Sequence, residues 1–359
     1  MSNSAFSKVN IPVPVTVANG GTGATTFTDG GVLVGNGTGA VQVTSAGTAG
    51  QVLTSGGTGV DPTFQDAAGG STINSTQDFR LTLQSGTPVI TTDQTAKTTL
   101  YLTPYKGNSI ALYNGSSWDL LTSAEVSLSL SGYTASSNYD IWAYNNSGTL
   151  TLESTIWTNS TTRATALAYQ DGVLVKSGTT TRRYIGTIRT TGTTGQCEFA
   201  FGTRAASGTQ AARLNVWNYY NRVNVSARVS DSTSSWSYTT TTWRSANNDT
   251  GNRVSFICGV SEDCFSSEYK CVSISRTTGN IVSLDLDGTS VAEGSSGYTG
   301  TSDTTWPILA TSNARLQTIA PIGFHYIQAV ESGNSAASSQ FYGDDGSTVR
   351  SGLFFKFLM

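Results

Sequence analysis

The chain has 359 residues, of which only 12% are charged, and its formal net charge is −3 at pH 7. This length leaves room for two or three domains. The weak negative charge excludes the basic footprint that nucleic-acid phosphates require, so no nucleic-acid partner is expected. The arginines occur singly or, at Arg182 and Arg183, as a pair, and we expect them to solvate strand edges. No apolar run reaches the roughly 18–20 residues of a membrane span.

Glycine, serine and threonine take the place of the missing charges, and aromatic residues reach 10% of the chain. Disordered chains have high net charge and few aromatic or β-branched residues, so this composition is not typical of disorder. Uncharged polar, β-branched and aromatic residues together favour long β-structure with serine and threonine on its outer faces. The composition therefore predicts an all-β fold.

A glycine- and threonine-rich repeat fills residues 1–70, which we predict to be a fibrous shaft region. Residues 31–39 (GVLVGNGTG) return as residues 51–59 (QVLTSGGTG), and residues 20–23 (GGTG) form an earlier partial copy. Each valine–leucine pair between glycine turns predicts one short strand, and a single short hairpin is marginal in water. Such units become ordered by stacking on copies of themselves. The repeat therefore predicts a fibrous homo-oligomer.

Residues 71–222 change to alternating strands with sharp turns and predict a middle β-sandwich-like module. Three turn sequences between apolar runs predict β-hairpins, at residues 114–115 (NG), 145–148 (NNSG) and 171–172 (DG). The aromatic segment 214–222 at the end of this module is expected to be a short connector.

Residues 223–359 predict a second β-sandwich-like module, the C-terminal tip. Its predicted strands are residues 223–229, 254–258, 272–275, 281–286, 324–330 and 353–358. The last strand is apolar and is expected to lie in a core or an oligomer seam, since a free one would aggregate. Heptad repeats are absent, so a homotrimer of this chain would be held together by β-structure rather than by a coiled coil.

Few residues suggest chemistry. His325 is the only histidine, and it lies between aromatic residues, where we expect a structural role. Three acidic pairs stand at turn-like positions, where aspartate is expected for backbone reasons: Glu262/Asp263, Asp285/Asp287 and Asp344/Asp345. We therefore predict no catalytic residues, no metal site and no cofactor, and expect that the protein is not an enzyme.

The four cysteines do not have the spacing of a zinc site. Cys197 stands alone, and Cys258, Cys264 and Cys271 are not arranged as Cys-x-x-Cys. The first residues of the chain lack the apolar core of a signal peptide, which predicts synthesis in a cytoplasm, where disulfides are rare. We expect the four thiols to be buried as small apolar groups.

Aromatic residues within polar stretches of the sequence give the strongest indication of a binding site. Five of them lie in serine-, threonine-, asparagine- and glycine-rich sequence: Trp236, Tyr238, Trp243, Tyr298 and Trp306. Tyrosine and tryptophan present rigid amphipathic area, and their neighbours here supply hydroxyl and amide groups suited to glycans. The pattern is equally typical of rings that fill a β-sandwich core. The region 232–249 is the preferred candidate for receptor binding.

Several stretches resemble virion fibre proteins of tailed bacteriophages. In the N-terminal region these are residues 18–27 (ANGGTGATTF), 31–37 (GVLVGNG) and 50–55 (GQVLTS). In the middle module they are residues 101–105 (YLTPY), 171–178 (DGVLVKSG), 182–188 (RRYIGTI) and 217–222 (WNYYNR). The resemblance covers about residues 18–222, and the remainder is only loosely similar to fibre tips. It implies a homotrimeric fibre on the virion, with residues 1–70 as its virion-docking and shaft region, and it supplies no catalytic residues.

The hypothesis that combines these observations is a trimeric tail fibre whose C-terminal tip binds a host receptor during adsorption. Its partners would be two further copies of itself, tail or baseplate proteins at the N-terminus, and a host-surface glycan or protein. A head fibre or capsid decoration protein of the same build is the alternative. A polysaccharide-degrading tailspike fits less well, because the chain shows no regular repeat of a long parallel β-helix.

Overall fold

The structure is a computed structural model, and it describes residues 15–66, 73–202, 211–275, 279–290, 292–294, 297–299, 308–333, 339–346 and 351–359. Over these ranges the regular secondary structure is β-strand, apart from three-residue 3-10 helices at Val17–Asn19, Ile73–Ser75 and Ala246–Asn248. The all-β prediction is confirmed. The chain divides into two compact units, unit 1 at Met1–Thr72 and unit 2 at Ile73–Met359.

Unit 1 contains two separate two-stranded sheets. Strand β1 (Leu33–Val34) pairs antiparallel with β2 (Gln42–Val43), and β3 (Gln51–Thr54) pairs antiparallel with β4 (Thr63–Asp66). The leucine of each repeat copy therefore lies on a strand, Leu33 on β1 and Leu53 on β3, whereas Val32 immediately precedes β1. Within residues 15–66 each of these strands has one partner strand, and no apolar side chain of that range is buried.

Unit 2 contains the remaining strands of the described residues. Strands β5 to β15 are Phe79–Thr82, Gln94–Lys97, Thr99–Pro104, Ser109–Tyr113, Trp118–Thr122, Val126–Ser129, Asn138–Asn146, Thr149–Ile156, Leu167–Gln170, Val173–Lys176 and Thr179–Arg189. Strands β16 to β22 are Cys197–Ala200, Ala212–Leu214, Val216–Asn218, Asn224–Val229, Ser235–Ser237, Arg244–Ser245 and Arg253–Cys258. Strands β23 to β29 are Cys264–Ser275, Asn280–Leu286, Gly297–Thr299, Ile308–Ile319, Gly323–Ser332, Gln340–Tyr342 and Gly352–Leu358.

Three large sheets organise unit 2. Sheet A has the order β12-β11-β15-β14-β13, with β18 also paired to β15. Sheet B has the order β25-β24-β27-β22-β17-β16-β6, with β21 also paired to β27. Sheet C has the order β19-β29-β23-β28-β20, with β26 paired along the whole of β23. A three-stranded sheet, β10-β7-β5, and the hairpin β8–β9 complete the described part of the unit.

Sheet B joins strands from both of the modules that the sequence suggested. Strands β6, β16 and β17 precede residue 222, whereas β22, β24 and β27 follow it. The connection is made by β17, which pairs parallel with β22, while the other strand pairs of the described residues are antiparallel. The expected division at residue 222 therefore falls inside one compact unit.

Sheets B and C pack face to face through a cluster of phenylalanine rings. Phe256 of sheet B lies with its ring centroid 5.4 Å from Phe265, 5.1 Å from Phe355 and 5.6 Å from Phe357, all three in sheet C. The four rings are buried and lie at tilted angles that suit the aromatic quadrupole. The apolar strand near the C-terminus thus lies in a sandwich core. This is one of the two positions that we expected for it, the other being an oligomer seam.

Local turn chemistry places the predicted hairpins correctly. Asp171 and Gly172 both have positive φ, 49° and 82°, which is the geometry of a type I′ turn between β13 and β14. The hairpins at residues 114–115 and 145–148 are also confirmed. The expected connector at residues 214–222 is instead partly a strand, β18, because the fully buried Trp217 packs in the core beside Gly259.

Arg183 was expected at a solvated strand edge, but it is buried. Its Nη1 donates to the carbonyl oxygens of Asn74 (2.9 Å), Thr76 (2.9 Å) and Ala111 (2.7 Å). Its Nε donates to the hydroxyl of Tyr220, whose ring lies 4.6 Å from the guanidinium carbon. A charged side chain tolerates burial only when its donors are satisfied, and here the partners come from three distant segments.

Replacement of Arg183 tests this role. Arg183→Met keeps much of the aliphatic stem and removes the donors, so we expect the free energy of unfolding to fall by about 3 kcal/mol, since hydrogen bonds to charged groups contribute roughly 1.5–3 kcal/mol each. The measurement is urea denaturation followed by tryptophan fluorescence. Arg315→Met is the control, because that side chain is 69% exposed, and it should change stability by less than about 0.5 kcal/mol. Equal effects of the two substitutions would contradict the assignment.

Candidate functional site

Glu331 is the centre of the region that the sequence singled out for binding. It lies in β27, its side chain is fully buried, and it accepts a hydrogen bond from the indole nitrogen of Trp236 at 2.8 Å. Arg244 donates from Nε to the other carboxylate oxygen at 2.9 Å, and the backbone nitrogen of Asn247 donates to that same oxygen at 3.2 Å. Trp236 therefore has a structural partner 95 residues away in sequence.

Burial is the largest influence on the carboxyl group of Glu331, and it raises the pKa above the ordinary value of 4.5. The hydrogen bond from Trp236 and the positive charge of Arg244 stabilise the carboxylate form, and they offset part of this rise in the pKa. The raised pKa means that proton binding favours the folded state. This contribution is complete at acidic pH and is lost as the pH rises through the folded-state pKa.

Tyr238 belongs to the same cluster. Its ring lies 3.7 Å from the guanidinium carbon of Arg244, and its hydroxyl donates to the carbonyl oxygen of Thr242 at 2.7 Å. Trp236 stacks on Phe341, with 6.2 Å between ring centroids. Both predicted residues are half-buried, so each combines a structural contact with an accessible edge.

The other three predicted binding residues are not drawn into this cluster by any described contact. Trp243 is half-buried next to Arg244 in sequence, and its indole nitrogen makes no hydrogen bond to the described residues. Tyr298 lies in β25, where its backbone pairs with Ile281, and nothing is described of its side chain. Trp306 lies outside the described residues.

The outer face of sheet C carries a groove that sequence reasoning did not find. It has a volume of about 320 Å³, and its lining includes Glu268, Arg315, Phe354 and Lys356. In β29, buried and exposed side chains alternate. Phe354 is exposed because it is next to the buried Phe355, and successive side chains of a strand point to opposite faces of the sheet. This strand pattern is the feature of the sequence from which the exposure of Phe354 could have been predicted.

Apolar side chains on unit 1 are exposed where the repeat places them. Leu33 is 55% exposed, Val52 48%, Leu53 42% and Val60 61%. Single exposed apolar residues are ordinary, but Leu33, Val52 and Leu53 lie on two-stranded sheets, and Val60 lies in the loop between β3 and β4. The described residues of unit 1 include no buried apolar side chain. A surface of this kind is typical of chains that associate.

The residues considered for catalysis have structural partners. His325 directs Nδ1 to Asp287 at 2.6 Å and Nε2 to the carbonyl oxygen of Ile322 at 3.0 Å, so both ring nitrogens are occupied. Burial opposes the charge on His325, but these hydrogen bonds outweigh it and raise the pKa. Among the acidic pairs, Glu262 and Asp263 both bind Arg222.

Three cysteines are buried as expected, Cys197, Cys258 and Cys271, whereas Cys264 is exposed at the start of β23. Burial raises the pKa of the Cys258 and Cys271 thiols to about 12. In the part of the chain that the structure describes, no group of three or more histidine, cysteine, aspartate or glutamate side chains is placed to hold a metal ion. The helices of that part are too short to cross a membrane.

No protein-family model and no curated protein sequence matches the chain. Among solved structures, it is similar to the insecticidal delta-endotoxin Cry8Ea1 from Bacillus thuringiensis, at 8% identity and a TM-score of 0.20, over 74% of this chain and 49% of the toxin. A Cry1Da tryptic core variant from the same organism gives 5% identity and a TM-score of 0.19, over 74% and 48%. The chain spans about half the length of these structures, and similarity at this level defines neither a shared fold nor a function.

Substitution of Trp236 by phenylalanine tests the structural contact. Trp236→Phe keeps a ring on Phe341 and removes the indole donor, so we expect the pKa of Glu331 to rise further and the free energy of unfolding to fall by about 1.5 kcal/mol at pH 7. The loss should shrink at pH 4, where the carboxyl group is largely protonated. Chemical denaturation at the two pH values measures both effects.

Trp243→Phe is the matched control for this experiment, because the indole nitrogen of Trp243 has no partner among the described residues. It should leave stability nearly unchanged at both pH values. An equal loss in the two variants, or a Trp236→Phe loss that does not depend on pH, would show that the contact with Glu331 does not matter.

Proposed function

We propose that the chain is a subunit of a homotrimeric fibre on a tailed-bacteriophage virion, with its C-terminal part binding a receptor on the host surface. The resemblance of residues 18–222 to such fibres supports this proposal, and an all-β chain with a glycine- and threonine-rich N-terminal region is compatible with it. In this proposal the N-terminal end docks on tail or baseplate proteins. The protein carries out no catalysis.

The exposed apolar side chains of unit 1 are the observation on which the proposal rests. Leu33 and Leu53 occupy equivalent positions in the two repeat copies, and both are exposed on strands with a single partner. Burial of apolar surface stabilises by about 25 cal/mol per Å². Two further copies of the same segment would cover these positions around a symmetry axis, since identical chains present identical surfaces to one another.

Receptor binding is assigned to unit 2, whose sheets hold their surface side chains rigidly. The accessible edges of Trp236 and Tyr238 and the neighbouring Trp243 remain the candidates from the sequence. A host-surface glycan suits amphipathic rings with polar neighbours. Individual sites need only modest affinity, because three tips on one fibre, and several fibres on one virion, bind together.

The mass of the protein in solution tests the assembly. The double variant Leu33→Ser, Leu53→Ser replaces one exposed apolar side chain in each repeat copy, and we expect it to populate monomer at concentrations where the natural chain is trimeric. Native mass spectrometry and light scattering report the change. The physical reason is the loss of apolar area that only partner chains would bury.

Leu120→Ser is the control, because Leu120 is 50% exposed but lies in unit 2, on β9. It should leave the trimer intact. A natural chain that is monomeric at every concentration would overturn the proposal, and so would a double variant that assembles as well as the Leu120→Ser control.

A further inference from the structure

Three arginines line one small polar pocket in unit 2, at the meeting of sheets A and B. The pocket has a volume of about 230 Å³, and its charged lining residues are Arg189, Arg213, Arg253 and Glu198. Three guanidinium groups therefore face one carboxylate. In a chain with so few charged residues, this excess of positive charge at one place is the strongest local concentration of cations among the pockets described.

The strand register explains why these residues meet. Arg213 of β17 is directly paired with Ser255 of β22, and Arg253 lies two residues before Ser255, so all three side chains emerge from one face of sheet B. On the other side, Ala200 of β16 is paired with Arg213, which puts Glu198 on that same face. The end of β15 reaches the pocket because the backbone nitrogen of Arg189 donates to the carbonyl oxygen of Asn215 at 2.9 Å.

Two of the three arginines, Arg189 and Arg253, form no ion pair with a carboxylate of the described residues, and Arg213 has one. The Arg189 guanidinium lies 3.7 Å from the centre of the Phe324 ring and donates to the side-chain oxygen of Asn138 at 2.8 Å. Arg253 lies 4.9 Å from the Tyr326 ring and pairs with no carboxylate among the described residues. Arg213 is half-exposed and has a long contact of 3.5 Å with Glu198. Aromatic contacts leave the guanidinium edges available for hydrogen bonds.

An unsatisfied amide lies in the lining as well. Asn215 is 3% exposed, and its Oδ1 is buried without a hydrogen-bond partner within the described residues. Ser136 and Ser255 contribute hydroxyl groups to the same pocket. The pocket thus offers charged donors for an anion together with neutral polar groups for hydroxyls.

We infer that this pocket binds an acidic sugar residue, with its carboxylate against Arg213 and Arg253 and its ring hydroxyls against the side chains of Ser136 and Ser255. Guanidinium groups bind carboxylates through paired, charge-assisted hydrogen bonds. The volume fits one sugar ring rather than a long ligand. That the sugar belongs to a host-surface polysaccharide rests on the proposed function; the binding of the sugar itself does not.

Calorimetry with monosaccharides tests the inference directly. Sodium glucuronate is the probe, glucose is the neutral comparison of similar shape, and inorganic phosphate is the comparison anion. We expect glucuronate to bind with a dissociation constant of about 1 mM, glucose not to bind measurably, and phosphate to bind more weakly than glucuronate because it has no ring hydroxyls. Glucose binding as tight as glucuronate, phosphate binding tighter than glucuronate, or no glucuronate binding would each overturn the inference.

Variants locate the binding in this pocket. Arg213→Met with Arg253→Met should weaken glucuronate at least about tenfold, because charge-assisted hydrogen bonds are lost. Arg253→Lys keeps the charge without the planar fork and should still weaken binding. Arg315→Met, on sheet C, is the control and should leave the affinity unchanged. An unchanged affinity in the double variant, with an unchanged unfolding curve, would place the sugar elsewhere and overturn the assignment.

Glu198→Gln provides a change in the opposite direction. It removes the one carboxylate that competes for Arg213, so glucuronate should bind up to about fivefold tighter, in line with the modest strength of a partly exposed ion pair. Weaker binding in this variant would contradict the role given to Arg213. None of these measurements depends on trimer formation or on cells, so a failed sugar site and a failed fibre proposal give different results.

Discussion

Two buried guanidinium groups hold together parts of unit 2 that lie far apart in sequence. Arg183 satisfies carbonyl oxygens on the segment before β5 and on β8. Arg80, on β5, donates to the carbonyl oxygens of Pro88, Asn221 and Met359, and so links the first strand of the unit to the residue that follows β29. Burial lowers the pKa of Arg80 to about 10, so the group stays cationic at neutral pH. A chain with few charges thus uses arginine where several carbonyl groups converge.

These long-range contacts fix the sheets of unit 2 relative to one another. The phenylalanine cluster around Phe256 fixes sheets B and C to each other, and the parallel pairing of β17 with β22 extends sheet B into the earlier part of the chain. Hydrogen bonds hold the Trp236 and Arg244 side chains around Glu331, and the Arg189 side chain of the arginine pocket, in place before any ligand arrives. Preorganised sites lose less conformational entropy on binding. Unit 1 differs, because none of the apolar side chains described between residues 15 and 66 is buried.

The sequence predicted local features well and long-range features poorly. The hairpin at Asp171 and Gly172 was predictable because turn chemistry is decided by adjacent residues. The burial of Arg183 was not, since its partners are about a hundred residues away, and neither was the bond from Trp236 to Glu331. The arginine pocket had no sequence signal either. Its arginines stand singly on different strands, and only the register of those strands puts them on one face.

Amide hydrogen exchange in unit 1 tests most directly whether partner chains cover its strands. An isolated two-stranded sheet is marginal in water, so the amides of Gln51–Thr54 and Thr63–Asp66 would exchange almost as fast as those of an unstructured peptide in a monomer. In an assembled fibre they should be protected to a degree comparable with the amides of β11 in sheet A. Rapid exchange of these strands at every protein concentration would contradict the account.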